Sequence, residues 1–265
     1  MNTQQLLEIA IKAAYLAGNE ILEVYNSEFA VEHKEDKSPL TLADKKSHQK
    51  ITQYLAQTPY PVLSEEGRDI DYEERKKWEV LWIVDPLDGT KEFIKRNGEF
   101  TVNIALVQNQ QPVLGVIYVP VKQVMYFAAE GIGSFKAENF QQTDDSLEKI
   151  MEKARKLPFE TQTNGAFRVV GSRSHMSPET EEYIEKLKSQ HPEIEIVSMG
   201  SSLKICLVAE GTANVYPRFA PTMEWDTAAG QAIARFAGKN VIDYTTGEVM
   251  KYNKENLLNN WFIVQ

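Results

Sequence analysis

Apolar residues in the first part of the chain recur at the three- and four-residue spacing of an amphipathic helix. Between residues 6 and 25 this spacing puts leucine, isoleucine, alanine and valine on one face, which predicts a first helix. Thr41 is a suitable N-cap for a second helix. In that helix Asp44, His48 and Leu55 fall on one face. Asp44 is therefore an acid in a first helical turn, and it either points toward the core or is stabilised by the helix dipole.

The middle of the chain is dominated by runs that are typical of β-strands. Residues 80–84 are apolar throughout, which predicts a strand buried on both faces. Three β-rich runs at 101–107, 113–119 and 124–128 are separated by short turns and predict an antiparallel meander. The charged stretch at residues 68–79 is expected to be solvated.

The second half of the chain alternates predicted strands and helices. A polar stretch at residues 136–166 precedes it and is the best candidate boundary. Strands are predicted at 167–171, 194–197, 214–216, 241–242 and 261–264, and helices at 178–190, 202–210 and 226–237. The fold class is therefore α/β. An α+β front half (1–157) is joined to an α/β back half (158–265) in one compact unit.

The composition narrows the choice of partners. The chain has 265 residues with 29 basic and 38 acidic side chains, and its net charge of −9 argues against nucleic acid as the main partner. A single cysteine excludes a disulfide framework and a cysteine-ligated zinc centre. No apolar run approaches the ~20 residues of a membrane span, and the N-terminus lacks signal-peptide features. We therefore expect a soluble, cytoplasmic protein without stable membrane insertion.

The candidate chemistry lies directly after the apolar run at 80–84. Asp85 and Asp88 flank a proline-stiffened turn that lets both carboxylates face one point, and the Leu87 carbonyl can join them as an oxygen ligand. Two carboxylates this close repel each other unless a proton or cation intervenes. A hard cation such as Mg²⁺ satisfies this arrangement. Gly89 and Thr90 then offer backbone N–H groups and a hydroxyl to an anion.

Each acidic feature also has a purely structural interpretation. The sequence from Asp85 to Gly89 is rich in turn formers, Glu65-Glu66 suits a solvated acidic turn, and Asp226 suits a helix start. Three acidic strand or helix ends in one chain favour a metal site with several carboxylates. A non-catalytic calcium module is the alternative, but its acids would cluster within about a dozen residues.

Three segments carry a resemblance to a known family: Glu65-Glu66, Asp85-Pro86-Leu87-Asp88-Gly89-Thr90 and Trp225-Asp226-Thr227-Ala228-Ala229-Gly230. In order and spacing the chain resembles the inositol monophosphatase-like superfamily of metal-dependent, lithium-sensitive phosphatases, over all but residues 136–166. Within that superfamily it is similar to the bacterial 3′(2′),5′-bisphosphate nucleotidases. The segments that carry this closer similarity include Lys91-Glu92-Phe93-Ile94, Ser172-Arg173-Ser174-His175, Gly200-Ser201-Ser202-Leu203-Lys204 and Tyr216-Pro217-Arg218.

The resemblance implies a layered α-β-α-β-α sandwich and a site with two Mg²⁺ ions. The first ion would be held by Glu65, Asp85 and the Leu87 carbonyl, and the second by Asp85, Asp88 and Asp226. A third, weaker ion is common in the superfamily, near Glu65 and Glu66.

The resemblance also assigns roles in catalysis. Asp44 and the Thr90 hydroxyl would orient and deprotonate the attacking water, with Glu66 beside them in the catalytic set. The scissile phosphate would contact Gly89 and Thr90. The remaining substrate-binding residues implied are Glu65, Leu87, Asp88, Asp226, His175, Ser201, Lys204 and Arg218.

The expected reaction is hydrolysis of adenosine 3′,5′-bisphosphate (PAP) to AMP and phosphate. The sulfated nucleotide PAPS would give adenosine 5′-phosphosulfate (APS) in the same way, in sulfate assimilation. The rival within the superfamily is an inositol or sugar monophosphate phosphatase. Lys204 and Arg218 separate the two, because they suit a second phosphate. Some bacterial relatives are described as peripheral at the inner membrane, but nothing in this sequence encodes an anchor.

Overall fold

The computed structural model describes residues 1–27, 31–33, 39–141, 145–159, 165–171 and 176–265, with the backbone alone described at 31–33 and 39–41. In these ranges the α-helices are α1 (Thr3–Tyr25), α2 (Leu42–Leu55), α3 (Tyr72–Arg75), α4 (Thr90–Ile94), α5 (Leu147–Lys153), α6 (Pro178–Lys188), α7 (Leu203–Glu210) and α8 (Glu224–Phe236). The helices predicted from the apolar spacing are all present, with ends that differ by a few residues.

A seven-stranded sheet forms the centre of the front half. Two short strands precede it, β1 (Val31–His33) and β2 (Pro39–Thr41), which pair antiparallel with each other. The sheet then runs in chain order through β3 (Val62–Ser64), β4 (Val80–Asp88), β5 (Thr101–Gln108), β6 (Gln111–Val119), β7 (Val124–Ala129), β8 (Gly133–Ala137) and β9 (Arg155–Lys156). Strand β3 is parallel to β4, and every later neighbour is antiparallel, which confirms the predicted meander.

The back half contains two smaller sheets. In the first, β10 (Phe167–Val170) is parallel to β11 (Ile194–Val197). In the second, β12 (Tyr216–Arg218), β13 (Val241–Asp243) and β14 (Phe262–Val264) are antiparallel in the order β12-β14-β13. A parallel bridge between Val169 and Val215 joins the two sheets.

These elements stack in five layers. Helices α1 and α2 pack on one face of the seven-stranded sheet, and α7 and α8 pack between its other face and the second sheet. Helix α6 covers the outer face of the back half. Strand β6 and helix α8 approach each other closely at Gly115, where an added Cβ would lie 2.4 Å from the Ala229 carbonyl oxygen of α8. The layered α-β-α-β-α sandwich is thus the observed fold, and the division at residue 157 stays a prediction.

Two local predictions are wrong. Strand β4 does not end before Asp85 but continues to Asp88, because Asp85 pairs with Asn103 and Asp88 pairs with Thr101 across an irregularity in register. The charged stretch at 68–79 is not solvated throughout, since Arg75 is buried and donates to backbone carbonyls near residue 254. The first correction matters for the site, because the bulge presents both aspartates on one strand.

Candidate active site

Three carboxylates meet at the end of β4. Asp85 and Asp88 lie on either side of the bulge, and Asp226 lies in the first turn of α8. One carboxylate oxygen from each of the three lies within 4.8 Å of those of the other two. Because side chains alternate along a strand, Asp85 shares the sheet face of Leu81 and Ile83, which pack toward α8. The fold therefore brings a ligand from residue 226 onto the two ligands of β4.

Burial and the neighbouring acids raise the pKa of Asp85. Burial raises the pKa of Asp85 well above its usual range, and nearby negative charges raise it further, in the order Glu65, Asp88, Asp226, Asp44. Glu65 and Asp44 therefore act on the same cluster from β3 and α2. Such a set of oxygen ligands is stable when a cation lies among them. The donor set thus fits the Mg²⁺ that the sequence predicts.

Asp226 is held by the start of its own helix. Its carboxylate accepts a hydrogen bond from the Met223 N–H at 2.8 Å. Burial, followed by the charge of Asp88, raises the pKa of Asp226 from 3.8 to about 7, although the Met223 hydrogen bond and the Arg218 charge oppose the shift. In the absence of a cation this carboxyl therefore titrates near neutral pH.

This shift predicts how the stability of the metal-free protein depends on pH. The folded state binds the Asp226 proton more tightly than the unfolded chain does, with a pKa of about 7 against 3.8. The resulting contribution to the free energy of unfolding is fully present below the unfolded pKa and is lost as the pH rises through the folded pKa. We therefore expect the Tm of the metal-free protein to decrease as the pH is raised from 3.8 to about 7. Calorimetry in chelator measures this, with Asp226→Asn as the non-titrating control. Parallel pH profiles for the two proteins would contradict the prediction.

Asp44 points inward from the first turn of α2. Its side chain is buried. One turn later, the Ser47 hydroxyl donates to the Pro86 carbonyl at 2.7 Å and fixes α2 against the bulge of β4. The inward orientation is therefore the one that the structure shows. The pairing of Asp44 with the Thr90 hydroxyl stays a prediction.

The two glutamates after β3 act on different neighbours. Glu65 raises the pKa of Asp85. Glu66 acts on His48, where burial lowers the pKa of the imidazole and the charge of Glu66 opposes that shift only in part. The Leu87 N–H donates to Asp85 Oδ1 at 3.1 Å and so shapes the turn between the aspartates. The use of the Leu87 carbonyl as a metal ligand stays a prediction.

Gly89 and Thr90 begin the short helix α4 beside the cluster. Gly89 has a φ of 94°, in the left-handed region that favours glycine. An added Cβ there would lie 2.2 Å from Ser201 Oγ. Only glycine therefore lets the Gly200–Ser202 loop lie this close to the backbone that leads into α4.

One cavity of about 270 Å³ joins the carboxylates to two cations. Asp88 and Asp226 line it together with Lys204 and Arg218. The Lys204 ammonium donates to the Ser201 carbonyl at 3.1 Å, and Arg218 Nη2 donates to a loop carbonyl at 3.3 Å. Arg218 Nε is buried without a hydrogen-bond partner among the described residues. The predicted cations therefore share a cavity with two of the predicted metal ligands.

Ser201 also lines this cavity, but its hydroxyl is directed at backbone. Ser201 Oγ lies 2.9 Å from the Asp88 carbonyl and 2.7 Å from the Glu99 carbonyl. Its side chain thus ties its loop to the ends of β4 and β5. His175, the remaining predicted nucleotide contact, lies outside the described residues.

The sequence did not indicate the role of Ser202. This side chain contacts Asp88, and Asn103 of β5 contacts Ser202 in turn. Ser202 lies in the Gly200–Lys204 segment that resembles the nucleotidases, but that resemblance implies a substrate contact for its neighbour Ser201. A serine at a helix start has an ordinary capping interpretation, so no local signal distinguishes this role.

A layered sandwich with an acidic cluster at a strand end and two basic side chains in the adjoining cavity fits a hydrolase of phosphate esters that uses divalent cations. The model of the inositol monophosphatase family matches residues 2–263. The chain belongs to the inositol monophosphatase family. This confirms the predicted family, the predicted fold class and the prediction of a phosphatase.

Individual relatives are similar to this chain over nearly its whole length. The chain is 46% identical to the 3′(2′),5′-bisphosphate nucleotidase CysQ of Salmonella typhimurium, covering 98% of this chain and 99% of the relative. It is 45% identical to the Escherichia coli K12 enzyme of the same name, with the same coverage. The crystal structure of CysQ from Bacteroides thetaiotaomicron superposes with a TM-score of 0.91 at 55% identity, covering 99% of this chain and 97% of the other. In the described ranges no helix is both long and apolar enough to cross a membrane.

Proposed function

We propose that this chain is a Mg²⁺-dependent phosphatase that removes the 3′-phosphate of adenosine 3′,5′-bisphosphate, giving AMP and phosphate. The observation that carries the proposal is the shared cavity, which is lined by Asp88 and Asp226 together with Lys204 and Arg218. A substrate with two phosphates needs both groups of side chains. The carboxylates and their cations would serve the reacting phosphate, and the two basic side chains would serve the other phosphate. The names of the relatives at 45–46% identity support the same substrate class.

Glu65, Asp85 and the Leu87 carbonyl would hold one cation, and Asp85, Asp88 and Asp226 would hold the second. Divalent cations in such a site make water more acidic and neutralise charge on the transferred phosphate. The chain itself binds and orients the reactants. Phosphoryl transfer asks for little covalent chemistry from the protein, which agrees with a site built from acids, a threonine and backbone.

In the proposed reaction Asp44 and the Thr90 hydroxyl orient the water and accept its proton. The Gly89 and Thr90 backbone N–H groups hold the phosphate in line with the attack. A bond forms between the water oxygen and phosphorus, and the bond from phosphorus to the 3′-oxygen breaks. The 3′-oxygen takes up a proton from solvent water, and the nucleotide leaves as AMP.

The same site suits the sulfated nucleotide PAPS, which would give APS. PAPS differs from the bisphosphate only at the 5′ end, where Lys204 and Arg218 are proposed to bind. Such an enzyme would act in the cytoplasm and clear a by-product of sulfate assimilation.

A phosphate-release panel at fixed Mg²⁺ tests the substrate class. It compares PAP, AMP, inositol 1-phosphate and fructose 1,6-bisphosphate. We expect kcat/KM to be highest for PAP, because only this nucleotide presents phosphates at both positions. Preference for inositol 1-phosphate or fructose 1,6-bisphosphate would instead identify an inositol or sugar phosphatase.

Replacing Lys204 with methionine tests the second phosphate. The variant removes the ammonium but retains a side chain of similar length. The loss of one charged hydrogen bond costs roughly 1.5–3 kcal/mol, which is about 10- to 150-fold in kcat/KM for PAP. A slow substrate without the second phosphate should be almost unaffected. Lys188→Met in α6, where the lysine is exposed and paired with Glu185, is the matched control. Equal losses on both substrates would show that Lys204 supports the fold or the metals instead.

A further inference from the structure

A line of polar side chains runs from strand β5 to the carboxylate cluster. The Thr101 hydroxyl lies 3.0 Å from Asn103 Oδ1, Asn103 Nδ2 lies 2.7 Å from Ser202 Oγ, and Ser202 Oγ lies 2.6 Å from Asp88 Oδ2. Thr101, Asn103 and Ser202 are all buried. Thr101 and Asn103 are two residues apart in β5 and so lie on one sheet face, the face that carries Ala105 and packs toward α7 and α8.

The hydrogen bonds in this line can run in only one direction. The Asp88 carboxylate can only accept, so Ser202 donates to it, and Asn103 then presents its NH₂ to Ser202 and its amide oxygen to the Thr101 hydroxyl. Ser202 Oγ therefore accepts from Asn103, and its single hydrogen remains for an acceptor. The Asp226 carbonyl is 3.2 Å away, but the charged Asp88 oxygen at 2.6 Å is closer and the stronger acceptor.

Asp88 Oδ2 also accepts a second hydrogen bond, from the Ser202 backbone N–H at 2.6 Å. The two donors of Ser202 thus converge on one carboxylate oxygen. Asp88 Oδ1 is the oxygen that remains for a cation. The loop cannot shift to release Oδ2 without also breaking the Asn103 contact, because Ser202 is anchored from both sides.

We propose that Asn103 is a positioning residue that holds Ser202 against Asp88, so that Asp88 offers a single, fixed oxygen to the cation. This inference rests on the proposed function, since it assumes a cation among the carboxylates. It also links that site to the Gly200–Ser202 loop, which leads into α7 and so to Lys204, the lysine proposed for the second phosphate. The same loop would then set the position of the metal ligand and of the substrate-binding cation.

Cation binding to the metal-free protein tests this inference without measuring activity. Isothermal titration with Mn²⁺ compares the wild-type protein with Asn103→Leu and Ser202→Ala. Residues that orient a metal ligand typically contribute about 10- to 100-fold to metal affinity, and we expect losses in this range for both variants. Asn103 and Ser202 act through one line of hydrogen bonds, so their effects should not add. The double variant should therefore bind Mn²⁺ as tightly as the single variant that has the lower affinity.

Thr101→Val provides a variant of the same shape should Asn103→Leu not fold. It removes the hydroxyl that orients the Asn103 amide, and we expect weaker Mn²⁺ binding. Thr58→Val is the matched control, since Thr58 is also buried but bonds to Trp82 Nε1 and the Leu55 carbonyl. It should leave the Mn²⁺ affinity unchanged.

The outcomes separate this inference from the proposed function. If Ser202→Ala and Thr101→Val bind Mn²⁺ as tightly as the wild-type protein does, the positioning role is overturned. Losses that multiply in the double variant would also overturn it, because they indicate independent effects on the fold. A wild-type protein that binds no Mn²⁺ would instead refute the proposed metal-dependent function itself.

Discussion

Replacing Asp226 with asparagine is expected to reduce kcat/KM for the bisphosphate nucleotide by about 10³-fold or more. The substitution retains the shape of the side chain and an oxygen that can accept the Met223 hydrogen bond, but it removes one negative charge from the cluster. Metal ions contribute several kcal/mol to the stabilisation of transition-state charge, and about 1.4 kcal/mol corresponds to each tenfold change in rate. Weakening the cation site thus accounts for a loss of this size.

Phosphate release under kcat/KM conditions measures the effect, and calorimetry in chelator checks the fold. The metal-free variant should be at least as stable as the wild type at pH 8, because the substitution relieves repulsion with Asp88. Asp243→Asn makes the same chemical change at the end of β13, away from the cavity, and should retain activity. Asp226→Asn with near wild-type activity would contradict the assignment of Asp226 as a metal ligand.

The second large effect is expected at Thr90. Thr90→Ala removes the hydroxyl that we propose orients the attacking water with Asp44, while every carboxylate of the cluster remains. Positioned proton-transfer groups contribute about 10²- to 10⁴-fold, so kcat should fall by about 10²-fold or more. Mn²⁺ binding to the metal-free protein should be almost unchanged.

Thr90→Ser restores a hydroxyl at the same position and should recover much of the lost kcat. A serine variant as slow as the alanine variant would show that the methyl group, and hence packing at the start of α4, is what matters. Loss of Mn²⁺ binding in Thr90→Ala would place Thr90 among the residues that hold the cation instead of the water.

The sequence predicted elements whose signal is local. Periodicity within a single segment predicts helices α1 and α2 and the apolar run of β4. It also predicts the strands of the meander from β5 to β7. Asp85 and Asp88 were predicted as a ligand pair because both belong to one short turn. The convergence of Asp226 on them depends on how α8 packs, and it was inferred through the family resemblance.

The parts that the sequence did not predict are interactions between distant segments. The bulge in β4 depends on pairing with Asn103 and Thr101, and no pattern within residues 80–88 reveals that pairing. The role of Ser202 depends on the side chains of these same two residues, Asn103 and Thr101. Arg75 lies in a charged stretch that predicts solvation, yet carbonyls from the C-terminal loop bind its guanidinium group. Each case involves partners that are 13 to 180 residues apart in sequence, beyond the range of local patterns.

The position of α8 between two sheets has a consequence for biosynthesis. The seven-stranded sheet is complete in sequence at Lys156, whereas α8, which covers one of its faces, ends at Phe236. At about 5–20 residues per second, a ribosome needs about 4 to 16 s to add the intervening segment. Throughout that interval the sheet face that carries Leu81, Ile83 and Ala105 has yet to receive its covering helix. The nascent chain therefore passes through a stage at which a broad apolar surface is exposed to chaperones and to other unfinished chains, and the cation site can be completed only after that stage.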